Sequence, residues 1–454
     1  MILPMILPMT RAFRAITSVW FLAAPLVAAE DQTVVLFDFE AEGFQEQWTA
    51  AGTAAATQVA STALEGAPSD GVKEKCMTIK TTDGGMVYSR PDLVLADWRT
   101  HPALRLHLHR PASQKDKRLV LDVMALDDDG TGQLWRRLDL APFIGWARID
   151  MPLRFFGPGD GRILRWDGVR RFGLRVVGAA EFSVDSISLL PPGSGPAALL
   201  DANELSGMAF GKPAADTLKH EKGFLLLTDV PGVDFKPLVR EMEEVVARVA
   251  SWLPLGDADP GDPPVLVIFS KEDDYRDFAP RYAAAIKREI APPQSAGYTI
   301  NGIATAFWDP SQGLRRPTFL HEFVHSLVEK RMQLPNRSEW FQEAVANHLQ
   351  QQFRPMKEYP PMITKAVLDP AFQVPLPQLC NGQPVSINHY WQCFTLLDLF
   401  LSDPAMREKL PQLIGAFRKA GNTDLGPHLG PILATDWKTL ETRWRAFTLG
   451  RYAQ

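Results

Sequence analysis

The hydrophobic period changes once along this chain, near "PPGSGP" at residues 191–196, and that change constrains the fold more than any other feature. Before it, apolar residues alternate in short runs such as "ALRLHLH", "RLVLDVMAL" and "FSVDSISLL". A period of two marks strands with one face buried. About 160 residues of such runs with turn punctuation predict a β-sandwich. After it, "GFLLLTDV" and "PPVLVIFS" read as strands, and "FKPLVREMEEVVARVASWL" and a run from Glu272 to Glu289 read as helices. "NGIATAFWD" returns to strand, and from Arg316 onward nearly everything has helical spacing. The fold class is therefore multidomain: an all-β sandwich over 30–192, a linker over 193–198, and an α+β, mostly helical domain over 199–454. The proline- and glycine-rich linker predicts two domains that fold separately.

The first 29 residues have the pattern of an export signal. Arg11 and Arg14 precede an apolar run over 15–29, and Val27 and Ala29 take the small-residue positions before a cut at Glu30. An uncleaved anchor is the alternative, although Pro25 and the shortness of the run disfavour it. "MILPMILP" duplicates a tetrapeptide, so Met9 is an alternative start. The expected location is exported: periplasmic, cell-surface or secreted. No later segment is apolar enough to span a membrane. A net charge of −5 argues against a nucleic-acid partner held by a basic field. Cys380 and Cys393 either pair in an oxidising compartment or remain buried thiols, with Cys76 left over.

The chemistry-bearing stretch is "FLHEFVHSLVEK", residues 319–330. At about 100° per residue, His321 and His325 lie about 40° apart and one turn apart in height. Both imidazoles can reach one ion. Zn²⁺ suits them, because four-coordination leaves room for a third ligand and a water. Glu322 flanks the pair, where it can take a proton from that water and hand it to a leaving amine. A packed helix that happens to carry two histidines is the bland alternative. A third ligand is available in "SEWFQEAVANHLQQQF", residues 338–353, which reads as a helix with Ser338 as N-cap. Glu343, with 17 residues between it and His325, is the first choice. Glu339 is the rival, although its place in the first turn suits the helix dipole. Asn347, one turn after Glu343, either fixes the tautomer of a zinc histidine or is a plain surface residue.

These residues resemble the gluzincin metallopeptidases over roughly 220–450, in the arrangement "HEFVH…EWFQEA". "TAFWDPSQ" and "QEAVAN" are similar to fragments of the thermolysin branch, and the overall spacing is closer to the peptidase-MA-like group of exported proteins. Asn347 departs from the acidic residue of the first, and Ala344 from the glycine of the second. The resemblance implies that Ala304, Thr305, Ala306, Phe307 and Trp308 line the cleft as an edge strand holding an extended peptide. It also implies a Tyr or His on a later helix that stabilises the oxyanion. Tyr390 is the first candidate, His389 the second and Tyr298 a weaker one. The aminopeptidase signature G-x-M-E-N is absent, which points to an endopeptidase.

"VVLFDFEAEGFQEQW" and "FSVDSISLLPP" resemble the two ends of galactose-binding-like jelly rolls, in which first and last strands neighbour each other. The resemblance offers Asp38, Glu40 and Asp185 as ligands of a structural Ca²⁺, with solvent-facing strand residues as the plainer reading. Trp48, Trp98, Trp135, Trp146 and Trp166 are either a sugar platform or core. The expected function is zinc-dependent peptide hydrolysis with an accessory sandwich that binds substrate or a glycan. The alternatives are a glycan- or surface-protein-binding module on a degenerate zinc scaffold, and zinc chemistry on another bond.

Overall fold

The computed structural model describes residues 33–51, 57–63, 75–91, 97–196, 198–199, 201–211, 217–220, 223–256, 262–286 and 290–452. The expected export signal over 1–29 lies outside them. Among the described residues no helix is long and apolar enough to cross a membrane.

The N-terminal region is a sandwich of two antiparallel six-stranded sheets. Its strands are β1 Val34–Phe37, β2 Trp48–Ala51, β3 Thr57–Ala63, β4 Lys75–Thr81, β5 Gly85–Ser89, β6 Ala103–Arg110, β7 Leu119–Leu126, β8 Gln133–Leu140, β9 Gly145–Pro152, β10 Gly157–Pro158, β11 Arg171–Val176 and β12 Ala180–Leu189. One sheet runs β3-β4-β12-β6-β9 with β1 paired to β12, and the other runs β10-β8-β7-β11-β5-β2. First and last strands are thus neighbours, with Val34 opposite Leu189. Alternation decides the core. In β6, Leu104, Leu106 and Leu108 are fully buried, while Arg105, His107 and His109 between them are half-buried on the other face. Trp48, Trp98 and Trp166 belong to this core, and Trp98 stacks on Trp166.

The C-terminal domain opens with α1 (Ala202–Phe210), started by an Asp201–Glu204 capping box. Its sheet contains β13 Thr217–His220, β14 Phe224–Thr228, β15 Val265–Phe269, β16 Gly297–Ile300 and β17 Ile303–Phe307, in the order β13-β14-β15-β17-β16. The β14-β15-β17 core is parallel and both margins are antiparallel. β14 and β15 are buried on both faces, as expected of covered parallel strands. Helices α2 (Lys236–Ala250) and α3 (Glu272–Ala285) are followed by α4 Pro317–Leu327, α5 Trp340–Phe353, α6 Tyr359–Leu368, α7 Leu376–Leu379, α8 Tyr390–Ser402, α9 Pro404–Ala420 and α10 Trp437–Tyr452. On α2 the buried residues Leu238, Met242, Val245 and Val249 form one stripe at helical spacing.

Two sequence expectations change here, and the open choice for the cysteines is answered. The segment over 193–198 is not a free tether. Ala198 is 1% exposed within the sandwich core, and its N–H donates to the Arg99 carbonyl at 3.4 Å. Ser338 is not the α5 N-cap; it adopts a left-handed φ of 54°, and Glu339 precedes the helix instead. All three cysteines are buried free thiols.

Candidate functional site

Helix α4 starts at Pro317, where no intrahelical donor is missed, and carries His321, Glu322 and His325. Helix α5 packs on it and brings Glu343. The two Nε2 atoms lie 3.1 Å apart, and Glu343 Oε2 is 3.5 Å from His321 Nε2 and 3.6 Å from His325 Nε2. Among the described residues this is the one cluster of three such groups whose ligand atoms converge. Bonds of about 2.0–2.1 Å at tetrahedral angles would set ligand atoms about 3.4 Å apart, so the triangle has the size that Zn²⁺ requires.

The imidazole tautomers follow from α5. Gln342 donates its amide N–H to the Leu334 carbonyl at 2.8 Å, which turns its Oε1 to His325 Nδ1 at 3.2 Å. Gln350 Oε1 lies 3.1 Å from His321 Nδ1. A carbonyl oxygen only accepts, so both Nδ1 atoms donate and both Nε2 lone pairs face the centre. Glu343 Oε2 is buried there without a hydrogen-bond donor. Two opposed lone pairs and an unsatisfied carboxylate oxygen are costly unless a cation sits among them.

The two imidazoles and the carboxylate act on one another strongly: among protein groups alone, Glu343 favours a proton on the imidazole at the place where a cation would otherwise sit. Burial alone would push the His325 imidazole down, but the Glu343 carboxylate overcomes it and lifts the group to about 9. Burial alone would raise the Glu343 carboxyl, yet His325 and the contacts from both imidazoles hold it well below the carboxylate range. The Glu322 carboxyl goes up, mainly by burial.

Glu322 is held by β16. Thr299 Oγ1 donates to Glu322 Oε2 at 2.9 Å. A Cβ on Gly297 would lie 2.4 Å from Thr318 Cγ2 and 2.7 Å from Glu322 Cγ, so the close approach of strand to helix needs glycine. β16 is also the edge of the sheet. This corrects the expectation for residues 304–308. β17 is an inner strand paired on both sides, and Ala304, Thr305 and Ala306 are fully buried. Phe307 packs under the Arg316 guanidinium, and Trp308 stacks on Phe319. A strand directly before the zinc helix was expected to be the edge; the hairpin partner preceding it takes that place.

Tyr390 opens α8 with its ring stacked 6.4 Å from that of His321. Burial and then the charge of Glu343 push its phenol well up. His389 lies one residue away with Nδ1 buried and unpartnered, and none of its recorded contacts reaches the triad. Tyr298 turns its hydroxyl to the Tyr275 carbonyl at 3.4 Å, away from the centre. Glu339, the rival ligand, accepts from the Thr423 backbone and hydroxyl at 2.5 and 2.6 Å. Asn347 does not reach a histidine; its amide donates to the Glu343 carbonyl at 2.8 Å. The residues the sequence reading missed are Gln342, Gln350, Gly297 and Thr299. Gln350 follows Glu343 by seven residues and Gln342 directly precedes it, but the available signal was masked because α5 is buried on every side from Trp340 to Leu349.

In the sandwich, Asp185 is fully buried with Oδ2 unpartnered, and Glu40 Oε1 is likewise buried without a donor. Asp38 Oδ1 instead accepts the Glu40 N–H at 3.3 Å. The Cys76 sulfur lies 3.8 Å from Asp185 Oδ1, and burial followed by that carboxylate pushes the thiol up to about 12. Of the two remaining tryptophans, Trp146 packs on His109, and Trp135 lies on the outer face of the second sheet with the Arg137 and Arg175 guanidiniums 5.8 and 5.6 Å from its ring centre.

No family model matches the sequence. No curated protein matches it either. Among solved structures, the family 11 carbohydrate-binding module of Clostridium thermocellum, in complex with a mixed-linked tetrasaccharide, is 16% identical. The match covers 35% of this chain and 96% of that one, with a TM-score of 0.27. A family 22 xylan-binding domain is 11% identical, over 37% of this chain and 99% of that one, with a TM-score of 0.23. An agarase is 15% identical, over 49% of this chain and 32% of that one, with a TM-score of 0.26. Scores of this size carry no argument about what either region does; that is argued from the residues.

Proposed function

We propose that this chain is an exported zinc-dependent metallopeptidase of gluzincin type, acting as an endopeptidase. The observation that carries the reading is the triangle of His321 Nε2, His325 Nε2 and Glu343 Oε2, with Glu322 beside it. His321, His325 and Glu343 would hold the metal. When bound, Zn²⁺ supplies a Lewis acid that polarises the scissile carbonyl and acidifies water. Thr299 fixes one oxygen of Glu322, so that the carboxylate is oriented to take the proton of the attacking water and return it to the leaving amine. The free edge of β16 offers main-chain hydrogen bonds to an extended peptide. Tyr390, whose ring stacks on His321 and whose phenol contacts Glu343, would donate to the carbonyl oxygen as charge develops. The same proposal keeps a structural Ca²⁺ in the sandwich with Asp38, Glu40 and Asp185 as its candidate ligands, Glu40 Oε1 and Asp185 Oδ2 being buried without a donor.

The test combines elemental analysis with a peptide-library assay. Wild type should hold about one zinc per chain and cleave peptides. Glu322→Gln should keep the zinc and lose about 100- to 10,000-fold in rate. Absence of zinc, or equal rates, defeats the reading. A second reading makes the chain a glycan-binding protein on a degenerate zinc scaffold. The patch of half-buried Trp135 and its two exposed arginines favours it, and library-wide inactivity of a zinc-loaded protein would select it.

A further inference from the structure

The outer face of the second sandwich sheet has an organisation that its burial pattern conceals. Strand register aligns one row across the sheet as Trp135, Met124, Gly173, Tyr88 and Thr49. The adjacent row reads Arg137, Asp122, Arg175 and Met86. Trp135 on β8 and Tyr88 on β5 are three strand spacings apart, about 14 Å. Between them Gly173 supplies no side chain, so the row forms a shallow trough whose floor, Met124 and Gly173, is buried and whose ends are half-buried aromatic rings. That span fits an oligosaccharide better than a single ring.

The flanks of the trough are cationic. Asp122 is fully buried, and both neighbouring arginines face it: Arg137 through Nε and Nη2 at 2.8 and 3.1 Å, Arg175 through Nε at 2.8 Å and Nη2 at 2.7 Å. Among the described residues no acceptor meets Nη1 of either, and the two side chains are 43% and 47% exposed. Arg171 lies over the Tyr88 ring at 5.4 Å. Three guanidiniums thus stand with Asp122, while Asp139, two residues beyond Arg137 on the same face, is paired to Arg118 at 2.6 Å; the chain's net charge is −5. Guanidinium edges match carboxylates in planar, paired geometry, and aromatic rings offer faces to sugar rings.

We infer that this trough binds an extended polysaccharide bearing carboxylates, a polyuronate, with Trp135 and Tyr88 as platforms and Arg137, Arg175 and Arg171 as carboxylate partners. The inference rests on the glycan-binding reading of the sandwich and not on the zinc chemistry. Polygalacturonate, heparin and a neutral mixed-linked β-glucan serve as probes in affinity electrophoresis of the whole mature chain. Polygalacturonate should retard wild type, and the retardation should fall with added salt. Trp135→Ala should weaken it about tenfold or more. Gly173→Val should do the same by filling the trough while removing no contact; its Cβ meets only the flexible Leu126 Cδ1 closely, at 3.1 Å. Unchanged circular dichroism and zinc content would show that both variants fold. Undiminished retardation of both variants overturns the inference. Retardation by heparin or by the neutral glucan alone, lost in Trp135→Ala, overturns the polyuronate assignment while leaving glycan binding intact. Retardation by no glycan removes both.

Discussion

His325 and His321 are each oriented by an amide rather than a carboxylate, and this has a measurable consequence. An amide carbonyl fixes the tautomer without adding charge. Gln342→Leu should therefore keep the fold but weaken zinc about 10- to 100-fold, whereas Gln342→Glu should bind at least as tightly as wild type. Competition with a chromophoric chelator reads both; equal affinity in all three proteins would reduce Gln342 to packing. The histidine pair and Glu322 were legible in the sequence because their spacing encodes the chemistry. The glutamines were not, because nothing in one helix's sequence says which neighbour it will touch. Asp122 gives a second residue-scale expectation. Burial raises its carboxyl, but Arg137 and Arg175 outweigh burial and hold it below its ordinary value. A depressed carboxyl contributes stability that is present above the unfolded value of about 3.8 and lost as pH falls through the folded one. Asp122→Asn should cost about 1–2 kcal/mol at pH 7, allowing for the half-exposed arginines, and the gap to wild type should close in acid. Urea midpoints at pH 7 and pH 3 measure it.

At the scale of elements, the strands and helices were readable from their periods, but sheet order was not. "NGIATAFWD" was correctly a strand; which of two hairpin partners lies at the margin depends on β15 arriving in parallel on the other side. The edge strand matters because it meets the zinc helix at Gly297. Gly297→Ala would force β16 away from Thr318 and Glu322 and so pull Thr299 from the base. We expect rate loss of about tenfold or more with zinc retained, and Thr299→Ser should stay close to wild type while Thr299→Val should not. Similar peptide cleavage by Gly297→Ala and wild type would show that β16 does not position Glu322. The misplaced cap has a comparable origin: Ser338 has the composition of an N-cap, but Glu339 is drawn to Thr423 on a distant loop and displaces it by one residue.

At the scale of the molecule, the linker led the sequence to predict two independent folding units, and the packing argues otherwise. Phe155 of the sandwich packs into the core formed by α1, α3 and the mixed sheet. Arg154 pairs with Glu204 at 3.1 Å. Arg337, in the connection between α4 and α5, donates to the carbonyls of Asp160 and Gly161. Gly421 lies so close to the sandwich that a Cβ would meet Arg162 N at 2.5 Å. Tight interfaces of this kind couple the unfolding of the parts they join. Removing the sandwich would expose the apolar seat of Phe155 and take from Arg337 its Asp160 and Gly161 acceptors, leaving it the Gly421 carbonyl, directly before the helix that carries Glu343. A fragment beginning at Leu199 should therefore melt several degrees below the zinc-bearing region of the whole chain, and it should hold zinc more weakly. Burying one aromatic ring is worth about 2 kcal/mol, or roughly 2–4 °C in a domain of this size, before the lost hydrogen bonds are counted. Calorimetry of the whole chain should show one transition, or two that move together when Phe155→Ala loosens the contact. Two transitions that ignore that substitution, with a fragment as stable as the whole, would restore the independent domains that the linker suggested.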